Sequence, residues 1–158
     1  MSRVYEGSID GRGRRVAIAA SRFNRLVTDP LVAGAVEELR RHGVAEADID
    51  LAWVPGAFEL PLAAERLAAS GRDAAVVAVG AVVRGATPHF DHVAGQAAAG
   101  LAAVSRATGV PVAFAVLTCD TMEQALDRAG GKAGNKGAEA AVGALEMAGL
   151  LEAIDKPD

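Results

Sequence analysis

Four apolar segments of the chain have the composition of buried β-strands. They are rich in Val, Ile and Ala, and each one ends at a polar or glycine-containing loop: 15–20, 49–54, 74–80 and 110–118. Strands without regular alternation of apolar and polar positions are typical of parallel sheets that are covered on both faces. The proline at position 111 predicts that the fourth strand starts there or lies at an edge.

Apolar residues at helical spacing follow each of these segments. The first such helix ends near His42 and Gly43, and its start has two alternatives. Asp29 can cap a helix that has Pro30 in its first turn, or the helix begins near Asn24 with Pro30 inside it. Further helices are predicted over 57–70, 90–108, 121–129 and from 137 to about 150. The helix at 121 opens on a capping box, with Gln three residues after Thr.

This order of elements predicts a single α/β domain over residues 1–158. Right-handed crossovers between the strands give one parallel sheet of four strands with helices on both faces, a three-layer sandwich. Residues 1–13 are predicted to be a polar tail or a short edge strand. A glycine- and lysine-rich loop is expected over 130–137 and a polar tail over 151–158.

Composition narrows the class of protein. Apolar residues make up 51% of the chain and aromatic residues only 4%, so the core consists of Ala, Val and Leu, and subunit interfaces are expected. The net charge of −4 and the lack of a basic block argue against a nucleic-acid partner. A single cysteine, Cys119, excludes an internal disulfide. Without an apolar signal segment or membrane-length run, we expect a cytoplasmic protein with no membrane partner.

The stretch Gly80–Val93 has the pattern of a strand, a glycine loop and a helix N-terminus. Unpaired N–H groups and the helix dipole attract anions at such a place, here around Gly85, Ala86 and Thr87. His89 follows, in a position to move protons beside a bound phosphate. The alternative is an ordinary turn with a surface histidine, and the residues alone leave both open.

Three other loops follow strands and therefore lie at the same sheet edge, where open parallel sheets bind ligands. In these loops Phe23 stacks on a planar ring or caps the core, and Glu59 binds a polyol or only favours a helix N-terminus. Arg84, just before the glycine loop, is either a phosphate ligand or points outward. Arg128, Lys132 and Lys136 form a basic cluster suited to phosphate or, alternatively, a solvated helix end.

Several kinds of site are not supported by the sequence. His89 and His92 are three residues apart, but no third ligand or cysteine pair accompanies them, so we expect no metal. Neither a Gly-x-Gly-x-x-Gly pattern nor a Walker loop follows a strand, which weakens a nucleotide-binding interpretation. A Gly-x-Ser-x-Gly nucleophile motif is also absent.

Four blocks of residues stand in an order and at a spacing that identify a family. They are Ser21–Asn24, Trp53–Pro61, Gly80–Val93 and Lys132–Gly137. Together they resemble the 6,7-dimethyl-8-ribityllumazine synthases over nearly the whole chain. The resemblance implies a flavodoxin-like sheet and a transferase of the penultimate step of riboflavin biosynthesis, which uses no metal or organic cofactor.

The resemblance assigns one group of residues to the pyrimidine substrate, a ribitylaminouracil. Phe23 would stack on its ring. The ribityl chain would be held by Ala57, Phe58 and Glu59, and the uracil would be lined mostly by backbone groups of Ala81, Val82 and Val83.

A second group is assigned to the other substrate, a dihydroxybutanone phosphate, and to proton transfer. Ala86 and Thr87 would bind the phosphate, and His89 would carry the proton. Three further residues would come from the adjacent subunit, so that a lone chain lacks a complete site: Phe114, Arg128 and Lys136.

The resemblance also implies the partners. A pentameric ring is expected, and the compact 130–137 loop favours assembly of rings into a sixty-subunit icosahedral shell. Riboflavin synthase is a further expected partner. Two alternatives belong to other classes: a flavodoxin-type module that binds a flavin or nucleotide, and a catalytically silent shell protein.

Overall fold

The computed structural model describes residues 1–157, which contain one sheet of four parallel strands. The strands are β1 (Val16–Ser21), β2 (Ile49–Val54), β3 (Ala75–Val83) and β4 (Val112–Cys119), in the order β2-β1-β3-β4. The predicted fold class is confirmed. Because β2 and β3 lie on opposite sides of β1, the strand order reverses at β1 and opens a crevice at the carboxyl ends of β1 and β3.

Helices cover both faces of this sheet. α1 (Arg25–Arg41) and α5 (Lys136–Asp155) pack together on one face, while α2 (Leu60–Ala69) and α3 (His89–Thr108) pack on the other. The short helix α4 (Met122–Arg128) follows β4 and opens on the predicted capping box. Strand residues alternate between the two layers, so the three-layer sandwich is confirmed. No helix within residues 1–157 has both the length and the apolar character needed to span a membrane.

The start of α1 agrees with the second of the two alternatives. Asn24 precedes the helix with a φ of 64°, in the left-handed region that Asn tolerates better than most residues, and Pro30 lies inside the helix. Asp29 is therefore not the cap. Its carboxylate instead pairs with Arg25, one turn earlier on the same helix.

Two predictions about the end of the chain are wrong. Residues 130–137 are not simply a loop, and residues 151–155 are not a tail. The loop contains an antiparallel hairpin, β5 (Ala129–Gly131) and β6 (Gly134–Asn135), after which α5 begins at Lys136. α5 continues to Asp155, because residues 151–154 are good helix formers and Glu152 pairs with Arg14 at 2.9 Å.

Residues 1–13 form no strand, so the prediction of an edge strand is wrong. The segment lies along α5, where Gly149 leaves room for the backbone of Ser8; a Cβ at Gly149 would be 2.8 Å from the Ser8 nitrogen. At the other end of the sheet, β3 runs to Val83 instead of stopping near Gly80. Its last residues thereby reach the crevice.

Candidate functional site

A cleft of about 710 Å³ lies at the carboxyl ends of β1, β2 and β3. It is the crevice that the strand order creates. Nine residues predicted from the sequence share its wall or rim, namely Phe23, Ala57, Phe58, Glu59, Ala81, Val82, Val83, Thr87 and His89. Ala86 lies in the exposed loop between Gly85 and Thr87 but does not line the cavity.

The loop after β1 carries an aromatic ring to the mouth of this cleft. The N–H of Arg22 donates to the carbonyl of Val54 at 2.8 Å, and that of Phe23 donates to Pro55 at 3.1 Å. These bonds hold the loop against the end of β2. The side chain of Phe23 stays 70% exposed, which is a large apolar surface for one residue to show to water unless a ligand or another chain covers it.

The turn between β2 and α2 forms the opposite wall. Ala57–Glu59 is a single 3-10 turn, in which Ala57 is buried while Phe58 and Glu59 are exposed. The carboxylate of Glu59 has no ion-pair or hydrogen-bond partner in residues 1–157. Its oxygens are therefore available as acceptors for hydroxyl groups.

The end of β3 forms the floor. Pairing between β1 and β3 stops at Ala20 and Val79, whereas β3 stays paired with β4 up to Val83. From Gly80 onward, β3 is therefore unpaired on its β1 side. The carbonyl of Ala81 accepts a hydrogen bond from the side-chain amide of Asn24 at 3.2 Å. The neighbouring backbone N–H and C=O groups on this side of β3 are not used by strand pairing. They can form hydrogen bonds with a planar heterocycle that carries its own donors and acceptors.

The loop before α3 presents donors to the same cleft. The N–H groups of Gly85, Ala86 and Thr87 have no hydrogen-bond partner in the described chain, and all three residues are exposed. His89 is the first residue of α3 and lines the cavity. An anion bound here would meet these N–H groups, the Thr87 hydroxyl and the positive end of a 20-residue helix.

The three remaining predicted residues lie elsewhere, in a second cleft of about 450 Å³ along β4, α4 and α5. Phe114 is on the edge strand β4, with its side chain 48% exposed. The guanidinium of Arg128 donates to the carbonyl of Gln124 at 2.9 Å, and Lys136 pairs with Glu139 at 2.9 Å. Phe114, Arg128 and Lys136 thus line one common cleft. Within one chain, none of them lines the cleft that holds His89.

Cys119 also lines this second cleft. Burial raises the pKa of its thiol above the usual range, while the nearby Arg128 opposes that change. At neutral pH the side chain is therefore a neutral thiol and supplies no negative charge to compete with an anion at Arg128 and Lys136.

Comparison with known proteins identifies the family of this chain. Residues 13–152 match the 6,7-dimethyl-8-ribityllumazine synthase family. The 6,7-dimethyl-8-ribityllumazine synthase of Anaeromyxobacter dehalogenans (strain 2CP-C) is 56% identical over 151 residues, which cover 96% of this chain and 93% of that protein. The chain belongs to the lumazine synthase family. This membership favours an enzyme of riboflavin biosynthesis over a flavodoxin-type carrier.

Six residues that line the first cleft received no role from the sequence: Asn24, Pro55, Gly56, Phe90, His92 and Val93. The sequence indicates for His92 only a possible metal ligand, and within residues 1–157 no group of three ligating side chains forms. For His92 and Val93, helical spacing was the available signal. His92 and Val93 stand three and four residues after His89, which places all three on one face of α3. Two imidazoles, those of His89 and His92, therefore line the cleft.

Proposed function

We propose that this chain is a 6,7-dimethyl-8-ribityllumazine synthase. As a transferase, it would condense 5-amino-6-(D-ribitylamino)uracil with 3,4-dihydroxy-2-butanone 4-phosphate and release phosphate and water. The observation that carries the proposal is the family match over residues 13–152, which includes every residue to which we assign a role. The reaction needs no cofactor in this scheme.

The pyrimidine binds in the first cleft. Phe23 stacks on the ring, and the ribityl hydroxyls bond to Glu59 and to the turn of Ala57 and Phe58. The uracil pairs with the free backbone edge of Ala81, Val82 and Val83. The support for this placement is chemical: the cleft offers an exposed aromatic ring, an unpaired carboxylate and unpaired strand groups along its length.

The phosphate binds at the N-terminus of α3. Ala86 and Thr87 donate hydrogen bonds to its oxygens. Arg128 supplies the positive charge that neutralises it. The amine then attacks the ketone and an imine forms with loss of water, phosphate leaves, and the ring closes with loss of a second water. Each of these steps moves a proton, and His89, on the cleft wall beside Thr87, is the group that moves it.

A complete site requires two chains. Phe114, Arg128 and Lys136 lie in the second cleft, so we propose that this cleft completes the first cleft of an adjacent subunit. A contact between two different surfaces of identical chains closes into a ring, here a pentamer. Assembly of rings into an icosahedral shell, association with riboflavin synthase and a cytoplasmic location belong to the same proposal.

Product formation tests the function directly. Purified protein is mixed with both substrates, and the fluorescence of the lumazine product is followed against a mixture without protein. We expect a rate well above this uncatalysed background, and no product when either substrate is omitted. A flavodoxin-type module or a silent shell protein would leave the background rate unchanged, and that result would contradict the proposal.

A further inference from the structure

Arg84 is the last residue before the loop of residues 85–88, and its side chain contacts the residues that follow that loop. Its guanidinium lies 4.4 Å from the centre of the Phe90 ring and 3.6 Å from the carboxylate of Asp91, both in the first turn of α3. It also donates to the carboxylate of Asp120, after β4, at 2.8 Å. One side chain therefore joins the end of β3, the start of α3 and the end of β4.

The loop has few other constraints. Gly85, Ala86 and Thr87 donate no backbone hydrogen bonds within the described chain, and a Cβ at Gly85 would have no neighbour within 4 Å. Its position therefore depends on its two ends. The backbone N–H of Arg84 bonds to the carbonyl of Cys119 at 2.9 Å, which secures one end, and the side chain of Arg84 joins that end to the other.

We propose that Arg84 is a positioning residue that holds the loop of residues 85–88 in the geometry that binds the substrate phosphate. The inference rests on the proposed function of the cleft. Arg84 is absent from the cleft wall, although Val83 and Gly85 on either side line it. Its charge is balanced by two carboxylates, Asp91 and Asp120. It thus acts on the phosphate through the loop instead of as a ligand.

The pKa of Arg84 is raised, chiefly by its hydrogen bond to Asp120, in agreement with a guanidinium committed to carboxylate partners. A planar guanidinium can stack on Phe90 and bond to a carboxylate at the same time, whereas an ammonium cannot do both. Lysine at this position should therefore restore only part of the effect.

Steady-state kinetics of Arg84→Met, Asp120→Asn and the double variant test the proposal. We expect each single variant to raise KM for the butanone phosphate about 10-fold, with kcat and KM for the pyrimidine within about 2-fold of wild type. The double variant should be no worse than either single one, because both remove the same contact. Arg84→Lys should fall between wild type and Arg84→Met.

Arg25 offers a matched control. It lies 4.2 Å from the Trp53 ring and pairs with Asp29 at 2.9 Å, so it makes the same kinds of contact outside the loop. Arg25→Met should leave KM for the phosphate substrate unchanged.

Three results would overturn the inference. If Arg84 were a direct ligand, Arg84→Met would raise this KM while Asp120→Asn left it unchanged or lowered it. Equal losses for both substrates would indicate a general structural role. Wild-type kinetics in both single variants would remove Arg84 from the site. Failure of the proposed function is distinguishable from these, because wild-type protein itself would then form no product.

Discussion

His89 is the only predicted proton carrier in the cleft, and it stands where the phosphate would leave. We expect His89→Ala to lower kcat by about 10- to 1000-fold with little change in either KM, the usual range for a general acid–base group. Some activity should remain, because the amine and ketone react with each other without help. The measurement is kcat by lumazine fluorescence, and a variant as fast as wild type would remove His89 from the mechanism.

Arg128 is predicted to act on one substrate only. Its guanidinium supplies charge to the phosphate, so Arg128→Ala should raise KM for the butanone phosphate by about 10-fold or more, as expected for the loss of a charge-assisted hydrogen bond. Affinity for the pyrimidine should stay nearly constant. Lys132→Ala is the control, because Lys132 is 84% exposed and lies outside both clefts. Loss of pyrimidine binding with intact phosphate binding would reverse the assignment.

Asp73 lies at the opposite end of the sheet, two residues before β3. It is buried, with only 5% of its surface exposed. Neither carboxylate oxygen has a hydrogen-bond partner within residues 1–157. Burial raises its pKa and the negative charge of Asp50 raises it further, while the positive charges of Arg15 and Arg72 oppose this change without reversing it. The folded state therefore holds this proton more tightly than the unfolded state does, for which the pKa is about 3.9.

The sign of the pH dependence follows from this difference. As pH rises from about 4 through the raised pKa, the carboxylate becomes charged without a partner and the free energy of unfolding decreases. Asp73→Asn removes that loss, so its melting temperature at pH 7 should exceed that of wild type by a few degrees, about 1 kcal/mol. The difference should vanish near pH 4. Thermal unfolding between pH 4 and 8 measures it, and a less stable Asn variant at neutral pH would contradict it.

Asp10 serves as the control, because its pKa changes in the opposite direction. The hydrogen bond from Arg12 lowers the pKa of the exposed Asp10 to about 2. Asp10 therefore contributes any stability above its unfolded pKa and loses it as pH falls. Asp10→Asn should give no gain in melting temperature at pH 7.

At the scale of elements, the close contact of α1 and α5 depends on glycine. A Cβ at Gly137 would overlap the backbone carbonyl of Leu31, and backbone cannot move aside as a side chain can. Beside it, the amide of Asn135 donates to the carbonyl of Pro30 at 3.0 Å and its oxygen caps α5. This contact holds the start of α5, and with it Lys136, next to the second cleft.

Gly137→Ala should therefore lower the free energy of unfolding by about 1–3 kcal/mol, the usual effect of overpacking. Gly143 lies on the same helix with nothing within 4 Å of its Cβ position, so Gly143→Ala should raise stability by about 0.5–1 kcal/mol. Chemical denaturation of both variants measures the difference. A shift of the same sign in both would contradict the role assigned to Gly137.

Elements with a strong local signal were predictable, and those that depend on contacts were not. β2 has the predicted bounds, and α4 begins on the predicted capping box. The hairpin of β5 and β6 lacks apolar alternation, because Gly130, Gly131 and Gly134 supply turns instead of packed side chains. The last turn of α5 is held by Arg14 from the far end of the chain, a contact that no local pattern contains.

At the scale of the molecule, the first cleft was predictable because it is a property of topology. Its residues lie at the carboxyl ends of the strands or in the segments that follow them, and the carboxyl ends of parallel strands meet at one edge. Phe114 was not predictable in this way, since it is the third residue of β4 and does not lie at the carboxyl end of that strand. Arg128 ends α4 and Lys136 begins α5, so neither follows a strand of the main sheet. Only the resemblance to a family placed them in a site, because their proposed role depends on a second chain.

The assembly of the chains can be measured directly. Sedimentation velocity at neutral pH in phosphate buffer should show no monomer, but pentamers or larger closed assemblies. The exposed apolar surfaces of Phe23, Phe58, Leu62 and Phe114 are the surfaces that subunit contacts would cover. A single boundary of pentamer size would exclude the icosahedral shell but keep the ring. An active monomer would contradict both the ring and the shared site.

Mixed assemblies test the shared site more directly. In the proposed ring, each site would take His89 from one chain and Arg128 from its neighbour. If His89→Ala and Arg128→Ala proteins are dissociated, mixed in equal amounts and reassembled, about a quarter of the sites should combine an intact His89 with an intact Arg128. Activity at low phosphate substrate should rise toward about a quarter of the wild-type value, whereas each variant reassembled alone should gain nothing. If both residues served a site within one chain, no mixture of the two variants could restore activity, because every chain would lack one of them.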